Sequence, residues 1–237
     1  MDLITALTTT GAIRDFTAEP VDDAVIAKVL DVARFAPSGG NRQGWRVVVV
    51  KDAAIRRGLR DLYLEGWYEY LAQRAAGLTP WSPTADRRAE ALAIEGAVGI
   101  AAAASPDGFA EQLDQVPVLL AIVVDLAEFA AVDRDLDRYT FVGAASVYPF
   151  AWNLVLAARE VGLGGVMTTM ATRHEPEAGE LLGIPAGHAL AALIVLGHPR
   201  KTFTKLTRAP VSSFTRVDRV DGEVFGAVSD DSDGGRD

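Results

Sequence analysis

The chain has 237 residues, a length that suits one full-sized domain with a real core and is short for two. Apolar residues make up 49 % and charged residues 23 %, the balance of a folded globular protein, and no apolar run is long enough to span a bilayer. A formal charge of −9 without a basic, aromatic-interleaved stripe argues against nucleic-acid binding, and the absence of cysteine excludes disulfides, thiolate nucleophiles and cysteine-ligated metals.

Residues 1–10 carry neither a basic n-region nor a cleavage-like segment, so no export signal is expected and the expected compartment is the cytoplasm. Residues 20–37 read as a helix: Asp22 or Asp23 can cap it, and Val25, Ile26, Val29, Leu30 and Ala33 recur at helical spacing before Pro37 and Gly39-Gly40 end it. The apolar, β-branched run 45–50 predicts a buried strand. Residues 56–104 are Ala-, Arg- and Glu-rich and predict helix, with a break at 79–83. A second strand is predicted over 117–124. A long helix then runs through Phe150, Ala151, Leu154, Val155 and Ala158 to Gly162, with Pro149 either starting or kinking it. Residues 165–170 and 189–196 complete the strand candidates. Mixed α and β elements around one sheet follow from this order, as a single domain over 1–228 with an acidic, disordered tail at 229–237.

Four features could carry chemistry. Between the first helix and the first strand, Ala36 to Trp45 reads APSGGNRQGW, where backbone N–H groups and the amides of Asn41 and Gln43 could meet the edge of a heterocycle; the same residues also make an ordinary helix C-cap and turn. Arg200, Lys201, Lys205 and Arg208 could hold a phosphate or form a solvated basic loop. Arg14 could face an anionic ligand or pair with Asp15 or Glu19. The aromatics Trp67, Tyr68, Tyr70 and Trp81 could line a pocket for a flat substrate or pack in the core. Other chemistries fail on pattern. Gly162-Leu163-Gly164-Gly165 enters a strand rather than a helix, so it is no dinucleotide fingerprint. No nucleophile elbow or Walker-type loop is present, and His174-Glu175 has no second histidine for a zinc site. No metal is expected.

Taken in order, these segments resemble the nitroreductase family. The likeness lies in Ala12-Ile13-Arg14-Asp15-Phe16, in Pro20 and the helix after it, and in Pro37-Ser38-Gly39-Gly40-Asn41-Arg42-Gln43-Gly44-Trp45 followed by a valine strand. It continues in the helix running into Gly162-Leu163-Gly164, in Gly183-Ile184-Pro185, in Leu196-Gly197-His198-Pro199 and in Arg208-Ala209-Pro210. The chain departs from the family pattern at Thr10-Gly11-Ala12, where arginine and serine are common, and at Gly44, which replaces a proline.

The resemblance implies an α+β fold with a central, mostly antiparallel mixed sheet wrapped by helices. It also implies an interlocked homodimer holding FMN at its interface, with NAD(P)H as electron donor. Ile13 and Arg14 would contact the flavin or its phosphate; Pro37, Ser38, Gly39, Asn41 and Gln43 would approach from the partner subunit. Gly165, Val166, Thr168 and Thr169 would pass the flavin N5 edge, and Lys205 and Arg208 would hold the phosphate. No catalytic acid or base is assigned, because the cofactor carries the chemistry. The activity implied is reduction of a nitro compound, a quinone or a related aromatic acceptor. The alternatives are dehydrogenation of a biosynthetic intermediate or reductive dehalogenation on the same fold, and flavin binding without turnover.

Overall fold

The computed structural model describes residues 1–226, so the tail expected at 229–237 lies outside the described residues. The chain divides into two compact units, Met1–Phe203 and a second beginning at Thr204. Among the described residues, no helix is long and apolar enough to cross a membrane.

The first unit is built on a four-stranded sheet of β1 (Trp45–Val49), β2 (Val118–Asp125), β3 (Gly164–Thr168) and β4 (His188–Gly197) in the order β1-β2-β4-β3. All three pairings among the described residues are antiparallel, in line with the mostly antiparallel sheet expected. Its helices are α1 (Leu3–Thr9), α2 (Asp23–Ala33), α3 (Ala53–Ala75), α4 (Arg87–Ile94), α5 (Ala97–Ala102), α6 (Tyr148–Glu160) and α7 (Glu175–Leu182). The α+β class is therefore as expected. The short helices α1 and α7 escape a reading by periodicity because each supplies only two turns.

Strand alternation explains the layers. Along β2, Val118, Leu120, Ile122 and Val124 face α2 and α6, whereas Leu119, Ala121 and Val123 face α3 and α7. Both faces are covered, which is why β2 is apolar without a break.

Caps set the boundaries. The carboxylate of Asp52 accepts from the N–H groups of Ala54 and Ile55, starting α3 at Ala53 rather than at 56. α2 stops at Ala33, short of Pro37, whose ring disfavours helical backbone in the residue before it. Pro149 sits in the first turn of α6, where its missing N–H costs nothing, so it starts the helix and does not kink it. Gly162 takes a φ of 82° after α6, and Leu163 N–H closes back on Ala158 O at 2.9 Å.

The second unit is sparse. It contains a 3-10 turn at Val211–Ser213 and a bridge between Arg216 and Val224.

Candidate functional site

The site begins where the N-terminal segment meets the edge strand β3. Ile13 N–H donates to Gly165 O at 2.9 Å, and the buried Ile13 side chain lies over Gly164, where a Cβ would come within 2.6 Å of its Cδ1. This anchor throws Arg14 outward. Among the described residues Arg14 has no ion pair and no hydrogen bond; its near contact is the Phe109 ring, 5.9 Å away, while Asp15 is taken by Arg200 at 3.2 Å. Arg14, Phe16, Phe109, Gln112, Pro117 and Arg200 line a cavity of about 560 Å³.

Tyr63 lies beside this segment. Its hydroxyl accepts from Thr168 Oγ1 at 3.4 Å and its ring meets Phe109 edge-on at 6.4 Å. Burial pushes the Tyr63 phenol above its usual range, opposed by the Thr168 hydroxyl and by the positive charge of Arg14. The structure thus brings Ile13, Arg14, Gly165 and Thr168 together, with Tyr63 and Phe109, which the sequence reading did not single out. Helical spacing was the available signal for Tyr63, since Tyr63, Trp67 and Tyr70 share one face of α3.

Two of the expected residues contribute backbone only. Val166 is 3 % exposed and points into the core with Leu193 and Val195, so its side chain touches nothing outside. Gly165 is required by the sheet itself, because a Cβ there would sit 2.5 Å from Val195 O. Thr169 is exposed one residue beyond β3 and borders a different cavity, described below. Lys205 and Arg208 belong to the second unit, where both are exposed and Arg208 donates to Thr207 O at 2.8 Å.

The turn after Pro37 is tightly built. Ser38 Oγ accepts from Gln43 N–H at 3.0 Å, and Gly39 N–H donates to Ser146 Oγ at 3.1 Å. Gly40, Asn41 and Gln43 all have left-handed backbone, with φ of 60°, 53° and 52°. For Gln43 that conformation is strained, and its amide turns back onto Asn41 Oδ1 at 3.1 Å. Gln43→Gly is expected to raise unfolding stability by ~1 kcal/mol by relieving this strain; a urea titration showing a loss would mean that the side-chain bonds outweigh it. Gly44 is explained by crowding: a Cβ there would lie 2.7 Å from Glu128 Cβ, so the proline common at this place in the family has no room. Trp45 stacks on Phe150 at 4.7 Å and is part of the core.

Sheet geometry separates the turn from Arg14. Gly165 pairs with Leu196 and Leu196 with Val118, while Gly44 O accepts from Asp125 N–H at the other end of β2. The seven steps from Val118 to Asp125 amount to roughly 24 Å, and β1 and β3 are also opposite edges of the sheet.

The donors near β3 fit the FMN that the resemblance implies. They comprise a cation with no ion pair and a strand edge unpaired by backbone beyond Gly165, both among the described residues; the Thr168 hydroxyl, which donates to Tyr63, keeps its oxygen as an acceptor. The segment before them is poor in phosphate ligands: Ala12 offers no polar side chain, and the Thr10 hydroxyl is buried without a hydrogen-bond partner among the described residues.

Comparison with known proteins identifies the family. The nitroreductase family model matches residues 8–198. The chain is 30 % identical to a 5,6-dimethylbenzimidazole synthase of Rhodobacter capsulatus over 193 residues, covering 80 % of each. It is 26 % identical to iodotyrosine deiodinase 1 of Rattus norvegicus over 81 % of this chain and 60 % of the relative. The match to a Thermus thermophilus NADH dehydrogenase, 39 % identical over 61 residues, takes in 26 % of this chain and 30 % of that protein, so the chain spans less than two thirds of these last two relatives. In fold it is similar to the NADPH:FMN oxidoreductase from Vibrio harveyi complexed with NAD+, with a TM-score of 0.63 and 21 % identity over 91 % of this chain and 76 % of that one. With a family model covering most of its length and an antiparallel sheet flanked by helices, the chain belongs to the nitroreductase family.

Proposed function

We propose that the chain is an FMN-dependent oxidoreductase of the cytoplasm, active as a homodimer, that uses NAD(P)H to reduce nitro compounds, quinones or related aromatic acceptors. The observation that carries this reading is the guanidinium of Arg14, unpaired among the described residues, beside the edge strand β3 in a protein of net charge −9. A cation in an acidic chain that forms no ion pair among the described residues, with the nearby Asp15 held by Arg200, is suited to an anionic or electron-accepting ligand.

Bound there, FMN would supply the redox chemistry, taking electrons from the nicotinamide and passing them to the acceptor. The residues of the chain divide the remaining work. Ile13 fixes the backbone from which Arg14 projects, and Arg14 would stabilise negative charge on a bound flavin. The backbone of Gly165 and Val166 offers polar groups along β3, and Thr168 and Thr169 place hydroxyls where the strand ends. Tyr63 holds the Thr168 side chain in one orientation.

The turn of Pro37, Ser38, Gly39, Asn41 and Gln43 cannot reach the same ring within one protomer across roughly 24 Å of strand. In this reading it serves the site of the second copy, and the hydrogen bonds inside the turn, from Gln43 N–H to Ser38 Oγ and from Gly39 N–H to Ser146 Oγ, hold its shape. Lys205 and Arg208 take the phosphate, a role left open by Thr10 and Ala12.

An absorbance scan of the purified protein, followed by anaerobic titration with NADH and NADPH, tests the reading. A yellow chromophore bleached by one of the two nucleotides is expected, and an acceptor screen then ranks nitroaromatics against quinones. A colourless protein that takes up no FMN on soaking overturns the proposal. Bound flavin that neither nucleotide bleaches would favour the non-catalytic alternative.

A further inference from the structure

A second cavity, of about 400 Å³, opens directly after β3 and is lined by Trp81, Arg87, Tyr139, Thr169, Met170 and Arg173 among others. Its size is that of a small-ligand site. Among the described residues the lining holds two guanidiniums and no carboxylate.

The aromatic wall is built from α3. Tyr63, Trp67 and Tyr70 follow one another along one helix face with ring centroids 6.4 and 5.3 Å apart, and Tyr70 meets Trp81 at 6.2 Å. This ladder connects the Thr168 hydroxyl to the cavity. Tyr68, by contrast, leaves the row to bond Glu111 at 3.0 Å. Gly66 allows the close approach of α3, since a Cβ there would meet Met170 O at 3.0 Å.

Trp81 itself is held against its own preferences. Its φ is 49°, its backbone N–H is tied to Oε1 of the fully buried Gln73 at 3.0 Å, and its indole N–H is buried without an acceptor among the described residues. Left-handed backbone at a bulky residue persists where the surroundings over-determine it, and such positions cluster at ligand sites.

The cations are also fixed from behind. Arg87 Nη1 bonds the buried Glu90 at 2.9 Å, leaving further N–H groups free, and Arg173 lies 5.0 Å from the Trp81 ring centroid while bonding Glu69 at 3.1 Å. At the rim, Tyr139 is steadied by Arg138, which donates to Tyr139 O and to the buried carboxylate of Asp133, both from Nη1. Asp133 also accepts from Thr140 Oγ1 and Phe141 N–H.

We infer that this cavity binds a planar aromatic acid, its ring against Trp81 and its carboxylate on Arg87 and Arg173. The aromatic wall supplies the flat apolar surface, and a guanidinium grips a carboxylate with paired N–H donors. Such a ligand would lie beside Thr169 and so next to the proposed flavin. The inference names a substrate class for the reductase reading and rests on that reading for what becomes of the ligand, but its own test is a binding measurement.

Calorimetric titration of the purified protein, with whatever flavin it carries, would compare 4-nitrobenzoate with nitrobenzene. The carboxylate is expected to bind about tenfold more tightly, a modest ratio because Arg87 is largely exposed. Arg87→Gln with Arg173→Gln should bring the two ligands to equal affinity, Arg87→Lys alone should keep part of the preference, and Trp81→Leu should weaken both. Equal affinities in the wild type, or a preference that survives loss of both arginines, overturn the inference. A colourless protein that still prefers the carboxylate would sink the flavin reading and leave this one standing.

Discussion

Arg14→Ala is expected to lower FMN affinity by roughly 10- to 100-fold while leaving thermal stability nearly unchanged. The size follows from the loss of a charge-assisted contact of about 1.5–3 kcal/mol, at 1.4 kcal/mol per decade of affinity. Stability is insulated because Arg14 has no ion pair or hydrogen bond to lose among the described residues, and the Phe109 contact at 5.9 Å contributes at most ~1 kcal/mol at an exposed site. Arg14→Lys keeps the charge and should recover much of the affinity. Flavin fluorescence titration reads the binding and differential scanning fluorimetry the stability. Equal affinities for Arg14→Ala and wild type would show that this cation does not face the flavin. A large fall in stability would show a structural role that the contacts do not reveal.

A mixed dimer should separate the two halves of the proposed site. Arg14→Glu places a carboxylate where the cation stands. Gly39→Leu fills space beyond the turn without disturbing its own protomer, because Gly39 is exposed and a Cβ there meets only Ser146 Oγ at 3.5 Å and Ala130 Cβ at 3.8 Å. Each variant alone damages both sites of a symmetric dimer, since an isologous interface uses each surface twice. Co-expressed with different tags, the heterodimer carries both lesions in one site and leaves the other intact. About half of the wild-type flavin content should return. No recovery would place Arg14 and the turn in the same protomer's site, against the separation along β2, and a monomer in sedimentation velocity would remove the dimer altogether.

Much of the fold was legible because its signals are local. The unbroken apolar segments of β2 and β4 identify strands buried on both faces, whereas the valine run after Trp45 marks a strand but not its burial, since β1 is an edge strand with Arg46 and Val49 exposed. Pro149 and Gly162 bracket α6 through backbone chemistry that does not depend on distant contacts. The helix–turn–strand segment around Ser38 to Trp45 was likewise recognisable as a unit. Reading those residues as a ligand cradle or as an ordinary turn was a different matter, because Gly, Asn and Ser serve both.

The site was less legible. Tyr63 and Phe109 lie 46 positions apart in the chain, and only the packing of α3 beside the segment before β2 sets them edge to edge. Val166 looked like a site residue from its place beside Gly165, but strand alternation turns its side chain into the core. Trp81 could be named as a possible pocket residue but not weighed, since its strain arises from a bond to Gln73 that closes a loop.

By itself the sequence determined the four strands, the longer helices and the absence of any thiolate chemistry, because propensity, periodicity and composition act within a few residues. Tertiary structure alone decided that Arg14 stands unpaired among the described residues, that the Ser38–Gln43 turn lies at the far end of the sheet from it, and that two arginines and a strained tryptophan share one cavity. Those facts depend on strand order and on which charges meet, and both are settled only when segments distant in the chain pack together.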